Sequence, residues 1–262
     1  MKKIFNRIKK AIVKSNKTTL FVYLTLRVLV IICLIRELFH GNYENVLLCI
    51  LSLILFLLPT FAEKTFKIDL PNVLEIIILI FIFSAEILGE INNFYGIFDN
   101  FDNLLHTING FLCASIGFSL VYLLNENIES FKLSPFFVSL VAFCFSMTIG
   151  VFWEFFEYGM DNLFKLDMQK DEYVSYVNTV TIDPEFSNKV IKIDGIEKTI
   201  SLDKNNNKIL EIDGYLDIGL HDTMKDLIVN FVGALIFSVF GYLYILDKDK
   251  YKIVGKFLTK KN

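Results

Sequence analysis

The sequence predicts an all-α integral membrane protein, a bundle of six transmembrane helices with a small β-hairpin-containing extracytoplasmic segment between helices five and six. Three observations carry that prediction. Hydrophobic residues make up 54% of the 262 positions and mean hydropathy is +0.51, more apolar surface than a soluble core of this size requires. The apolar residues fall into six runs, each long enough to cross a hydrocarbon core. The one long polar stretch, roughly residues 162–220, alternates apolar and polar residues at strand period.

Residues 1–18 form a basic N-terminus that opens MKKIFNRIKK, and the first 17 residues hold Lys2, Lys3, Arg7, Lys9, Lys10, Lys14 and Lys17 with no acid. No small-residue cleavage pattern follows and Arg27 interrupts the next apolar run, so the segment reads as a retained anchor. Residues 19–161 carry spans one to five, placed at Thr19–Phe39, Tyr43–Phe61, Val73–Ile91, Leu104–Leu124 and Pro135–Tyr158. Residues 221–246 carry the sixth, Met224–Leu246, and 247–262 are a tail with six lysines. Lys and Arg are retained on the cytoplasmic side. Both termini are therefore expected in the cytoplasm of a bacterial cell, as an even number of spans demands. The connector AEKTFKIDLP carries two lysines and is expected inside; NNFYGIFDN carries none and is expected outside. NENIESFKLS, with one Lys and two Glu, is a weak vote.

Span order puts residues 162–220 outside. There VIKIDGIEKTISL and KILEIDGYLDIG each hold an Asp-Gly pair between apolar/polar alternating runs, the pattern of two hairpins with type I′ turns. Cys33, Cys49, Cys113 and Cys144 all lie in apolar runs without a CxxC pair, which supports neither a disulfide framework nor a thiolate zinc site. A net charge of -3 points to no nucleic-acid partner. The bilayer is the expected partner, touched by the basic termini through anionic lipid.

Once directions are assigned, the ionisable residues collect on one side. Arg36, Glu37 and His40 end span one, and Glu86 and Glu90 end span three. Asp99, Asp102 and His106 start span four, and Glu154, Glu157 and Asp161 end span five. His221, Asp222, Asp226 and Asn230 start span six. At about 100° per residue, Glu154, Glu157 and Asp161 stay within roughly 60° of one another, and the pairs Glu86/Glu90, Asp102/His106 and Asp222/Asp226 are four apart. Each charged side chain facing lipid near mid-membrane costs about 2.5–3.5 kcal/mol on insertion scales, which favours turning the stripes inward to one cluster. So many carboxylates cannot all stay ionised together; several are protonated, or a metal ion is bound. His beside Asp and Glu suits zinc, manganese or iron, and an oxygen-only subset suits magnesium or calcium. Gly110, Ala114 and Gly117 in span four, with Ala234, Ser238 and Gly241 in span six, are expected to let those helices approach closely. Trp153 is expected at the interface, and Arg27 to snorkel inward or pair with Glu75.

FDNLLHTINGF, WEFFEYGMD and GLHDTMKDLIVNFVGA resemble the YjdF-like family of uncharacterised bacterial inner-membrane proteins, whose marks are an Asp/His helix start, a [WY]-E-x-x-E segment and a D-T-x-x-D segment. The likeness runs from about residue 70 onward and falls on Asp102, His106, Gly110, Glu154, Glu157, Asp222, Thr223 and Asp226. More loosely, spans four and six look like VanZ-type membrane proteins. The resemblance implies a membrane bundle with a shared polar site and implies no reaction.

Two classes of function compete. In the first, a divalent metal ion (Zn, Mn, Fe or Mg) held by Asp102, His106, Glu154, Asp222 and Asp226 assists hydrolysis or transfer on a lipid or lipid-linked envelope precursor at the outer leaflet. Glu157 or His221 would then act as general base and Arg36 as a phosphate contact. In the second, the acids carry protons or cations for transport. No inverted repeat, Gly/Pro-broken span or acid chain to the inner face supports this second class. A non-catalytic envelope scaffold is the blandest alternative.

Overall fold

The computed structural model describes residues 17–66, 68–127 and 132–261. Most of the basic N-terminus lies outside the described residues, as does the middle of the connector 125–134. The described chain divides into two compact units, one running to Gly150 and resuming at Leu227, the other Val151–Asp226. The division falls inside two long helices.

In the first unit, α1 (Lys17–His40) and α2 (Tyr43–Leu55) are joined by the two residues Gly41 and Asn42. Gly41 adopts φ +74°, and the Gly41 and Asn42 amides bond back to Leu38 O (3.3 Å) and Glu37 O (3.1 Å). Backbone of that hand after a helix favours glycine. The Asn42 side chain then caps α2 at the Asn45 amide. A short break precedes α3 (Leu58–Phe66), where Pro59 cannot donate an amide to a continuing helix. The helix α4 (Asn72–Phe83) follows Pro71 and passes directly into a π-helix, Ser84–Ile91. A one-turn helix α5 (Phe94–Ile97) leads to α6 (Phe101–Asn127). Two helices complete the set, α7 (Pro135–Phe164) and α8 (Leu220–Leu246).

Among the described residues, five stretches are long and apolar enough to cross a membrane: Lys17–His40, Tyr43–Thr65, Phe101–Glu126, Pro135–Phe164 and Leu220–Leu246. The expected span at residues 73–91 is divided between α4 and the π-helix. Outward faces are apolar, with Phe21, Leu24, Val28 and Ile32 of α1 all more than half exposed, a surface suited to lipid.

Among the described residues three apolar clusters organise this unit, one of them Ile68, Leu70, Leu74 and Leu112, which joins the start of α4 to α6. Val30, Cys33, Cys49, Phe56, Leu79, Ile82 and Ile87 unite α1, α2, α4 and the π-helix. Ala114, Phe118, Tyr122, Val138, Ala142, Ala234 and Phe237 unite α6, α7 and α8 with Val254 and Leu258 of the tail. Small residues set the approach of α6 to α8. A Cβ on Gly110 would overlap Asn230 O, and one on Gly233 would overlap Thr107 O. Gly117 and Gly241 are covered by the rings of Phe145 and Phe118. Ser146 Oγ donates to Gly110 O at 2.7 Å, tying α7 to the same seam. Arg27 donates to Leu53 O at 3.4 Å and lies 4.6 Å from the Tyr23 ring centroid. These contacts take the place of the expected Glu75 pairing.

The lysine-rich tail is docked. Its strand β8 (Lys260–Lys261) pairs antiparallel with β1 (Ile68–Asp69), and the Thr259 amide donates to Ser119 Oγ at 3.1 Å. Lys248 reaches Glu126 at 3.0 Å, which also accepts from the Tyr122 hydroxyl.

In the second unit six short strands follow α7: β2 (Tyr173–Val174), β3 (Tyr176–Thr179), β4 (Ile191–Asp194), β5 (Lys198–Leu202), β6 (Lys208–Asp213) and β7 (Tyr215–Leu216). They pair antiparallel as β2 with β7, β3 with β4 and β5 with β6. Two hairpins turning at Asp-Gly are therefore not what forms. Gly195 (φ +70°) and Gly214 (φ +86°) do take the left-handed backbone. They pass the chain from one partner to another, since β4 pairs with β3 and β5 with β6. The true β5–β6 turn is Asp203–Asn207, closed by the Asp203 carboxylate accepting from the Asn205 and Asn207 amides at 2.7 and 2.8 Å. Those bonds, and above all that from the Asn207 side chain, hold the Asp203 carboxyl below its ordinary pKa.

Candidate functional site

The second unit gathers three buried acids. Glu154 and Glu157 lie one turn apart on α7, and Asp226 lies in the second turn of α8; they are 5%, 7% and 2% exposed. Each offers one carboxylate oxygen, and these three atoms lie within 4.8 Å of one another. Trp153 Nε1–H donates to Glu157 Oε1 at 2.7 Å. The indole expected at the interface is thus an orienting donor on one of the acids. Its spacing of four from Glu157 was the available sequence signal.

A strap over residues 165–172 organises the start of α8 in the same unit. Asp161 accepts from the Met168 and Gln169 amides at 2.6 and 2.8 Å. Gln169 Nε2 donates to Thr223 Oγ1 at 2.6 Å, and the Lys170 amide donates to Asp222 Oδ2 at 2.9 Å. Lys225 pairs with Glu172 at 3.2 Å. Asp217 caps α8, accepting from the Leu220 and His221 amides at 2.7 and 2.8 Å. The His221 ring, 43% exposed, is 3.6 Å from Asp217 Oδ2 and edge-on to Tyr176. Asp171 sits among Asp167, Asp217 and Asp161; burial first, then the repulsion of those three acids, pushes its carboxyl above its ordinary pKa.

Of the residues expected to bind metal, Glu154 and Asp226 come together, joined by Glu157, which was expected as the base. Asp222 faces the strap amide at Lys170, and His221 faces Asp217. Asp102 and His106 lie in the first unit, with His106 Nε2 at 3.6 Å from Asp102 Oδ1. Nearby on α6, Asn109 Nδ2 donates to Asn230 Oδ1 at 3.2 Å, and Asn230 is 1% exposed. Glu86 is buried in the π-helix. Arg36, the expected phosphate contact, donates through Nε to Glu37 Oε1 at 2.7 Å, while Glu37 also accepts from Asn45 Nδ2 at 3.0 Å. Sequence reasoning noted Glu37 only as a helix end and missed this anchoring role.

Three carboxylates in mutual reach inside a buried site repel one another when ionised, so the trio calls for protons or a cation. The donor set is oxygen only. That chemistry suits hard divalent ions such as magnesium, manganese or calcium.

Residues 20–247 match a protein family described as "Predicted membrane protein (DUF2238)". No curated protein and no solved structure matches the chain.

Proposed function

The chain belongs to this family of predicted membrane proteins, and within it we propose that Glu154, Glu157 and Asp226 form a divalent-cation site of a metal-dependent envelope enzyme. The observation that supports the reading is the trio itself: three acids, each less than a tenth exposed, with oxygens within 4.8 Å. Burying so much like charge is costly and intramembrane acids are functional by default. Glu154 and Asp226 are the ligands, and Glu157, oriented by the Trp153 indole, is a further ligand or the base that takes a proton from the attacking group. A cation there would polarise a phosphoryl or acyl oxygen and lower the pKa of bound water. The substrate class that suits the location is a lipid or lipid-linked envelope precursor. In this reading residues 72–91, α4 with its π-helical continuation, also cross the membrane and bring the spans to six. Both termini are then cytoplasmic and the 162–220 segment extracytoplasmic, in a bacterial cytoplasmic membrane. The YjdF-like assignment rests on the motifs.

The test is metal binding by the purified full-length protein, stripped with chelator and dialysed against magnesium, manganese, calcium or zinc. About one equivalent of a hard cation is expected in the wild type, with affinity at least about tenfold weaker in Asp226→Asn and Glu154→Gln, since each removes one charged ligand. Retained helical circular dichroism controls for folding. A wild-type protein that takes up no ion from any of the four solutions overturns the proposal. It leaves the trio to share protons, the chemistry of the transport alternative.

A further inference from the structure

The α1–α2 hairpin brings together two thiols that the sequence left unassigned. Cys33 and Cys49 stand on opposite arms of the Gly41–Asn42 turn, about 10 Å and 9 Å from it at 1.5 Å per residue, and so at one depth. Both are in the same apolar cluster, Cys33 7% and Cys49 0% exposed. Both thiols sit in that cluster, close enough to perturb one another. Helices in contact have axes about 8–10 Å apart and Cα atoms about 2.3 Å off axis, so facing Cα atoms come within about 3.4–5.4 Å. A disulfide needs a Cα separation of roughly 4.4–6.8 Å. Arg36 Nη2 donates to Cys33 Sγ at 3.7 Å. Cys113 and Cys144 belong to other helices.

We propose that Cys33 and Cys49 are a redox-active pair that closes to a disulfide between α1 and α2. The apolar surroundings select a lipid-soluble two-electron acceptor of the quinone class. The Cys33–Cys49 S–S bond forms as both S–H bonds are lost, and the two protons and two electrons reduce the quinone to hydroquinone. The closed loop encloses Arg36, Glu37 and Asn45, so oxidation fixes the ion pair and the Asn45 contact that join the two arms. Its reversal requires a dithiol reductant.

The experiment uses the full chain with Cys113→Ser and Cys144→Ser, so that only the pair remains. In native membranes it is exposed to tetramethyl-p-benzoquinone, which has no ring position open to thiol addition, and separately to the small oxidant diamide. It is then denatured, alkylated with a maleimide and weighed by mass spectrometry. Alkylatable thiols are expected to fall from two to none, with the loss of two hydrogens and recovery after dithiothreitol. Adding Cys33→Ser or Cys49→Ser is expected to leave the remaining thiol alkylatable. Two alkylatable thiols persisting after both oxidants in a helical, monodisperse protein overturn the proposal, and so does a disulfide found only between chains.

Discussion

A single carboxylate can be spaced for one role and held in another. Asp222 and Asp226 share a helix face, yet Asp222 accepts from the Lys170 amide while Asp226 joins Glu154 and Glu157. The strap that engages Asp222 begins more than fifty residues earlier, a contact that i,i+4 spacing cannot register. Asp171, among Asp167, Asp217 and Asp161, is a group whose titration bears on stability. Its folded pKa lies above the unfolded value, so the folded state holds that proton more tightly. The penalty of ionising it is present at neutral pH and is relieved as pH falls through the folded pKa. Asp171→Asn is expected to melt higher than wild type at neutral pH, with the difference shrinking toward about pH 4, near the ordinary carboxylate range. Melting curves at the two pH values check this; an equal gain at both contradicts it.

At the scale of elements, the seam between α6 and α8 was legible because small residues recur at helical spacing along both. Gly233 lay outside the selected set although its backbone approach to Thr107 is among the closest on the seam. A glycine has no side chain to make a pattern, and only the crossing point reveals which one is indispensable. Gly233→Ala places a methyl against the Thr107 carbonyl, and Gly110→Ala does the same against Asn230. Each is expected to destabilise by about 1–3 kcal/mol, the usual cost of overpacking, read as a lower detergent-denaturation midpoint. Gly41→Ala, in open space but at positive φ, is expected to cost less. The strands teach the converse. Both Asp-Gly pairs supply the left-handed backbone their composition promises, but a local turn signal does not say which strands it will join. That depends on pairing over longer separations, such as Tyr173 with Leu216 and Tyr176 with Asp194.

For the whole molecule, the distribution of lysine and arginine proposes an orientation that places the carboxylate trio toward the outer side. A cysteine introduced at Asn206, in the β5–β6 turn, is expected to react with a membrane-impermeant maleimide in intact cells. One at Lys250 is expected to react only after lysis. Both are read in a Cys144→Ser background. The reverse pattern puts the trio on the cytoplasmic side and removes the envelope substrate from consideration, while leaving cation binding untouched.

The sequence by itself determined the solvent of this protein and most of its elements. Apolar run length and basic flanks follow from transfer energies and chain geometry that act residue by residue, so five membrane-length stretches and a strand-rich segment were readable without coordinates. It also singled out the acids as candidates for a site, because charge among Val, Phe and Trp is costly. Only the tertiary structure decided which of them meet. Glu154, Glu157 and Asp226 share a site, Asp222 turns to a strap amide, and Cys33 finds Cys49 across a two-residue turn. Rotation and register between packed elements are fixed by contacts distant in sequence, and periodicity within one element carries no information about its neighbour.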